Sequence, residues 1–207
     1  MLKIWGRKAS SNVQKVLWAC GELNLPFERI DVTGEYGATK EPAYLAMNPN
    51  GLVPTVEDKG QTLWESNTIT RYLAREYGQG ILEPADPIER ARASQWMDWH
   101  LSVLGPVITP VFWATYRQKP EQRDHKAIEA AKAKTIAAMT ILDQQLTKTQ
   151  YVAGDTFSYG DIPVGIMTYR YRQIVPERPQ HDGLERWFAL IEKRPAFHEH
   201  IGSLPLA

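Results

Sequence analysis

Apolar and polar positions change rhythm along the chain near residue 80. Before it, short apolar runs alternate with helix-like stretches. Residues 2–5 (Leu-Lys-Ile-Trp) read as a strand, and after Ser10-Ser11-Asn12 the positions Val13, Val16, Leu17 and Cys20 recur at three- and four-residue spacing, one face of a helix that ends near Gly21. Residues 27–32 form a second strand, reached through the Asn24-Leu25-Pro26 turn, and the strand-helix-strand order makes the two strands parallel. Residues 33–40, with Gly34 and Gly37, read as a loop, and residues 42–47 as a short helix. From Asn48 to Glu76 the pattern is a strand opening at Pro54, a tight Lys59-Gly60 turn and a second strand. A helix follows, with Ser66 as its N-cap and Ile69, Tyr72 and Leu73 on its buried face. The sum is βαβ followed by ββα, a small mixed sheet with helices on its faces.

After residue 80 no strand pattern recurs. Gly and Pro cluster over 77–87, which places a first domain at 1–78, a linker at 79–87 and an all-helical domain at 88–207. Ile88, Arg92, Gln95, Trp96, Trp99 and Val103 line one side of a helix, and Gly105-Pro106 should kink or interrupt it before a helix over 109–116. Ile128, Ala131, Thr135, Ala138, Leu142 and Leu146 mark a long helix. Ser158 and Asp161 have the spacing of a capping box at the start of a buried helix through Ile162, Ile166 and Tyr169. Leu184, Trp187, Phe188 and Ile191 define a last helix stopped by Arg194-Pro195.

Composition narrows the partners. Among 207 residues, Lys+Arg and Asp+Glu number 24 each with no basic block, so nothing marks nucleic acid or an anionic membrane as a ligand. The start Met-Leu-Lys-Ile-Trp-Gly-Arg-Lys carries no apolar signal segment and no window is long and apolar enough for a span, which makes a soluble cytoplasmic protein the expectation. Cys20 is the only cysteine, so an internal disulfide, a Cys-x-x-Cys redox pair and a thiolate zinc cluster are excluded. His198 and His200 lie two apart, on different helix faces, and no metal is expected. Any thiol chemistry must come mainly from a bound ligand.

Three stretches carry a family pattern: Asn48-Pro49-Asn50-Gly51-Leu52-Val53-Pro54, Glu65-Ser66-Asn67-Thr68-Ile69-Thr70-Arg71-Tyr72-Leu73, and Phe157-Ser158-Tyr159-Gly160-Asp161, with Arg194-Pro195-Ala196-Phe197 as a family-like ending. In this order and spacing the chain resembles the cytosolic glutathione transferases over nearly its whole length. The resemblance implies a thioredoxin-like, glutathione-binding α/β domain followed by an all-α domain that supplies a pocket for an electrophilic small molecule. Glutathione would be co-substrate, with no metal, and the chain would form a homodimer, the first domain of one copy on the helices of the other.

By the same resemblance, Val53 would pair its backbone with the cysteinyl part of glutathione as an added strand does, with Pro54 cis. Glu65 would take the γ-glutamyl ammonium, and Ser66, with the helix N-terminus, its carboxylate. Lys40 would meet the glycyl carboxylate. Leu52 stands where many relatives have Lys or Gln and cannot make that polar contact, a gap that Lys40 or Asn50 would fill. The first tyrosine is Tyr36 and no thiol stands near the end of the first strand, so the resemblance implies a serine-type enzyme of bacterial kind. Ser10 matches the serine-type hydroxyl, Ser11 is its alternative, and Asn12 matches an asparagine used in some bacterial relatives. The electrophile pocket would draw on Trp113, Tyr116, Arg117, Tyr169 and Arg172, an aromatic surface with guanidinium groups for developing negative charge.

Plainer readings stand beside these. Ser10 and Ser11 serve equally as helix caps, Pro54 as an edge-strand proline, and Cys20 as a packed core residue. Conjugation, with or without glutathione-dependent peroxidase or disulfide reductase activity, is the leading function. Its rivals are a glutathione-dependent isomerase or dehalogenase on the same fold, and a non-enzymatic regulator that has lost the thiol site.

Overall fold

The computed structural model describes residues 1–32, 38–204 and 206. They fall into two compact units. The first comprises Met1–Glu83 joined by the tail from Pro195, and the second Pro84–Arg194. The division falls between Glu83 and Pro84. Residues 195–204, expected with the helical domain, belong instead to the first unit.

In the first unit, β1 (Leu2–Trp5), β2 (Phe27–Ile30), β3 (Thr55–Asp58) and β4 (Gln61–Trp64) form one sheet in the order β2-β1-β3-β4. The β1/β2 pair is parallel, as the strand-helix-strand order requires, and the other two pairs are antiparallel. Ile4 and Val56 face each other across β1 and β3 and are fully buried. Lys59 and Gly60 both take positive φ (51° and 76°), the geometry that lets a two-residue hairpin follow the twist of its strands. α1 (Ser11–Glu22) and α3 (Ser66–Tyr77) pack on each other, and α2 (Pro42–Met47) lies between β2 and β3 in the chain. The loop anticipated at 33–40 falls mostly outside the described residues; its end, Ala38–Lys40, is a 3₁₀ turn.

Several boundaries move by a residue or two. α1 begins at Ser11, so Ser11 and Asn12 sit in its first turn and not ahead of it. β2 stops at Ile30, and β3 opens one residue after Pro54. Glu65, not Ser66, occupies the N-cap of α3.

The second unit is helical: α4 (Pro87–Trp99), α5 (Gly105–Tyr116), α6 (His125–Leu146), α7 (Asp161–Ile174) and α8 (Asp182–Glu192). Gly105-Pro106 does not break the chain between α4 and α5. The helix widens into a π turn at His100–Leu104 and α5 starts directly at Gly105, because a proline in the first helical turn needs no N–H. The anticipated stripe holds only in part, at Trp96. Ala93, Trp96 and Met97 are buried, while Ile88 and Val103 are 60% and 38% exposed. α7 is buried on nearly every side, as a central helix must be, and packs against α4, α5 and α8. On α8, Leu184, Trp187, Phe188 and Ile191 are all buried as their spacing demands.

The pair Ser158 and Asp161 is structural, though not a standard capping box: Gly160 is the N-cap and Asp161 the first residue of α7. The Asp161 carboxylate accepts from Val152 N (3.0 Å), Ser158 N (2.9 Å), Ser158 Oγ (3.2 Å) and Trp187 Nε1 (2.9 Å). It joins the loop before α7 to α8. α9 (Pro195–Phe197) and the π turn His198–Gly202 pack on α1, with Phe197 edge-on to Trp18 at 5.1 Å. His200 is buried against Phe27, and that burial lowers its pKa. No helix among the described residues is long and apolar enough to cross a membrane.

Candidate functional site

The first unit gathers polar groups at the N-terminal ends of α1 and α3. Ser10 ends the loop after β1 as N-cap of α1, with extended backbone (φ −74°, ψ 121°), and its carbonyl accepts from Gln14 N at 2.8 Å. Its hydroxyl makes no capping hydrogen bond, so the cap reading does not account for the side chain. Ser10 and Ser11 are both half-buried. One residue on, Asn12 Oδ1 accepts from Ser66 Oγ at 3.3 Å and from Lys15 Nζ at 3.1 Å, and Lys15 Nζ also donates to Ser66 Oγ at 3.3 Å. Lys15 is fully buried, and Ser66 nearly so. The three side chains close a triangle between two helix starts, where unpaired backbone N–H groups already give positive potential.

Glu65, directly before Ser66, takes an unusual backbone angle. Its φ of 72° and ψ of 107° lie where residues with a side chain seldom go, at a cost of about 1–3 kcal/mol that surrounding structure must offset. Its carbonyl accepts from Ile69 N at 2.9 Å, so the strained residue still begins the hydrogen-bond ladder of α3 while its side chain stays exposed.

The loop ahead of β3 is held from beneath. Tyr44 Oη and Asn48 Nδ2 both donate to the Leu52 carbonyl at 2.8 Å, and both also reach Thr55 Oγ1, at 2.8 and 3.2 Å. Asn48 Oδ1 takes two bonds from Asn50, from its backbone N (3.1 Å) and its Nδ2 (3.2 Å). Asn50 is thus committed to its own turn. Gly51 has φ 60°, and a Cβ there would lie 2.8 Å from both Lys40 Nζ and Thr39 O, which places Lys40 directly across the loop. Leu52 is 62% exposed. The Val53–Pro54 bond is cis, and the Val53 N–H and C=O make no backbone hydrogen bond among the described residues. An open edge of main chain remains there.

The helical unit treats its five anticipated residues differently. Trp113 (57% exposed), Tyr116 (42%) and Arg117 stand out from the end of α5, with Tyr116 stacked on Phe112 at 5.3 Å between centroids. Tyr169 is half-buried on α7. Arg172 is committed elsewhere: its guanidinium meets Glu185 (3.4 Å) and Glu192 (3.2 Å) and lies over the Phe188 ring at 4.6 Å, tying α7 to α8. Its assignment to an electrophile pocket is therefore withdrawn. Cys20 is fully buried in α1 and burial pushes its thiol up to about 12, so it is inert. Among the described residues no group of three or more His, Cys, Asp or Glu side chains could hold a metal.

Lys15, Tyr44 and Thr55 were missed in the sequence. Lys15 had one available signal, a lysine set among Val13, Val16 and Leu17 on a helix that turned out buried along most of its length.

A βαβ-ββα unit of this topology, with an open main-chain edge and two helix starts joined by side chains, is a thioredoxin-like arrangement, here followed by an all-helical unit. Residues 9–76 match the family model of the glutathione S-transferase N-terminal domain, and residues 104–195 that of the C-terminal domain. The chain belongs to the glutathione S-transferase family and is an enzyme of that class. It is 39% identical over 203 residues to glutathione S-transferase GstB of Escherichia coli K12, covering 97% of this chain and 98% of that one. A solved theta class glutathione S-transferase from Xanthomonas axonopodis pv. citri, with glutathione bound, superimposes with a TM-score of 0.93 at 39% identity, covering 100% and 99% of the two chains. Glutathione transferase F7 of Populus trichocarpa gives 0.85 at 29% identity, covering 99% and 100%.

Proposed function

We propose that this transferase lays glutathione along the open edge at Val53 and uses the Ser10 hydroxyl to hold its sulfur as thiolate for attack on an electrophilic small molecule. The observation that carries the reading is the Asn12–Lys15–Ser66 triangle. A buried cation and a serine hydroxyl at a helix start form a receptor for a carboxylate. The γ-glutamyl carboxylate goes to Ser66, its ammonium to the exposed Glu65 side chain, the cysteinyl backbone to Val53, and the glycyl carboxylate to Lys40, which lies across Gly51. With the peptide so oriented, its sulfur points back to Ser10, with Ser11 the alternative donor.

Thiolate formation alone gains little. A free thiol of pKa about 8.5 is roughly 3% ionised at pH 7, and lowering that by about two units raises the thiolate roughly 25-fold. Nucleophilicity falls with pKa at a Brønsted slope near 0.45 and takes back roughly 8-fold, leaving about threefold. Positioning of the electrophile, where effective molarities run to about 10⁵ M or more, carries the larger share. Trp113, Tyr116, Arg117 and Tyr169 are the surfaces assigned to it. We assign the active form to a cytoplasmic homodimer.

Calorimetric titration with glutathione and with S-methylglutathione tests the reading. Binding of both is expected, and failure of both at millimolar concentration would overturn it. A screen of aryl halides, epoxides, peroxides and mixed disulfides then separates conjugation from peroxidase, reductase, isomerase and dehalogenase chemistry.

A further inference from the structure

We infer that Lys15 is a positioning residue for glutathione, supplying through Ser66 the positive charge that selects the γ-glutamyl carboxylate. This rests on the assignment of that carboxylate to Ser66. Lys15 is 0% exposed, and its Nζ donates to Asn12 Oδ1 and to Ser66 Oγ. A lysine ammonium has donors and no acceptor, so the Ser66 oxygen must accept from it. The serine proton is then forced away from Lys15, onto Asn12 Oδ1 in the free protein, 3.3 Å away. A carboxylate arriving at the start of α3 takes that proton in place of Asn12. Lys15 thus fixes the Ser66 hydroxyl as a donor before the ligand comes, and a donor polarised by a buried cation is stronger than a serine alone. Because the ammonium lies in the protein interior and not in water, its field at the carboxylate is only weakly screened.

Asn12 has a related part. Its side-chain oxygen accepts from both Lys15 and Ser66, which keeps the two donors together in the absence of ligand. Lys15 itself stays behind Ser66, so its effect belongs to binding and not to the sulfur. A purely structural lysine would, in contrast, change stability and leave ligand preference alone.

The test compares glutathione with its analogue carrying 4-aminobutyryl in place of γ-glutamyl, which lacks only that carboxylate. Wild type should prefer glutathione by roughly 10- to 150-fold in KM, the worth of a charge-assisted hydrogen bond. Lys15→Gln keeps donors for Asn12 and Ser66 and removes the charge. It should raise KM for glutathione by about tenfold or more, change kcat by less than about threefold, and shrink the preference to a few-fold. Lys15→Arg, which keeps the charge, should restore most of the preference. A folded Lys15→Gln variant with undiminished preference would overturn the inference. Should Gln fail to fold, a folded Lys15→Arg variant that has lost the preference would overturn it, and one that keeps it supports it. If wild type shows no preference at all, the assignment at Ser66 falls and this inference falls with it.

Discussion

Ser66 Oγ lies 3.3 Å from Asn12 Oδ1 although 54 residues separate them, which joins the starts of α1 and α3 through two side chains. Ser66→Ala removes the only side-chain donor that α3 offers at its first position and leaves Asn12 and Lys15 in place. KM for glutathione should rise by an amount worth about 1.5–3 kcal/mol, with kcat little changed. Asn12→Ala should cost less, about 1 kcal/mol, since it orients the donors and does not replace them. Steady-state kinetics at varied glutathione distinguish the two, and equal effects would count against separate roles.

Ser10→Ala should act on the sulfur and not on binding. Without the hydroxyl the bound thiol returns toward its free pKa, so the pH–rate midpoint should move up by about one to two units and kcat/KM at pH 7 should fall at least about threefold. KM for glutathione should hold. A midpoint that stays put would transfer the role to Ser11, whose own alanine variant makes the second arm of the measurement.

How much of this was legible in the residues depends on which physical signal carries it. The sheet and α3 were readable because short apolar runs bounded by turns mark strands and three-to-four spacing reports burial of one helix face, and Ile69 and Leu73 are fully buried as that spacing requires. α4 misled in part because the stripe of Ile88, Arg92, Gln95, Trp96, Trp99 and Val103 mixes apolar and polar residues around a weakly amphipathic helix: Trp96 is buried as anticipated, but the small Ala93 carries part of the real contact. Periodicity cannot register a small residue that lets elements approach. Lys15 was hidden for a different reason: a lysine reads as surface until a partner 51 residues away, Ser66, gives its ammonium a place inside. Arg172 erred the opposite way. A guanidinium beside a presumed pocket looked functional, and only tertiary contacts reveal Glu185 and Glu192 as its partners.

Gly51→Ala tests the loop that presents Val53. The residue has φ 60°, and an added Cβ would come within 2.8 Å of the Thr39 carbonyl and of Lys40 Nζ. Lysine can swing aside, but the carbonyl cannot without moving the 3₁₀ turn. Strain of about 1–2 kcal/mol is expected from the backbone angle alone, and displacing Lys40 should raise KM for glutathione further. Thermal melting measures the first and kinetics the second; a variant that matches wild type in both would show that the loop geometry is adaptable.

Asp161 gives the helical unit a pH dependence of definite sign. Its carboxylate is fully buried, and burial raises its pKa to about 6 from an ordinary 3.8, against the pull of the bonds from Val152, Ser158 and Trp187. Between these values the folded protein holds a proton that the unfolded chain has lost. Stability from this group therefore rises as pH falls from about 6 toward about 4, by up to about 1.4 kcal/mol per unit, and is flat above 6. Other carboxylates contribute their own slopes, so the measurement is a difference. Asp161→Asn places an amide NH₂ against hydrogen-bond donors and should destabilise by about 3–5 kcal/mol at pH 7. Because the variant cannot titrate there, the gap between wild type and variant in urea unfolding should widen by about 1 kcal/mol on going from pH 7 to pH 5. A gap that stays the same from pH 7 to pH 5 would instead mean that the carboxylate remains ionised inside the fold, with its four donors outweighing its burial.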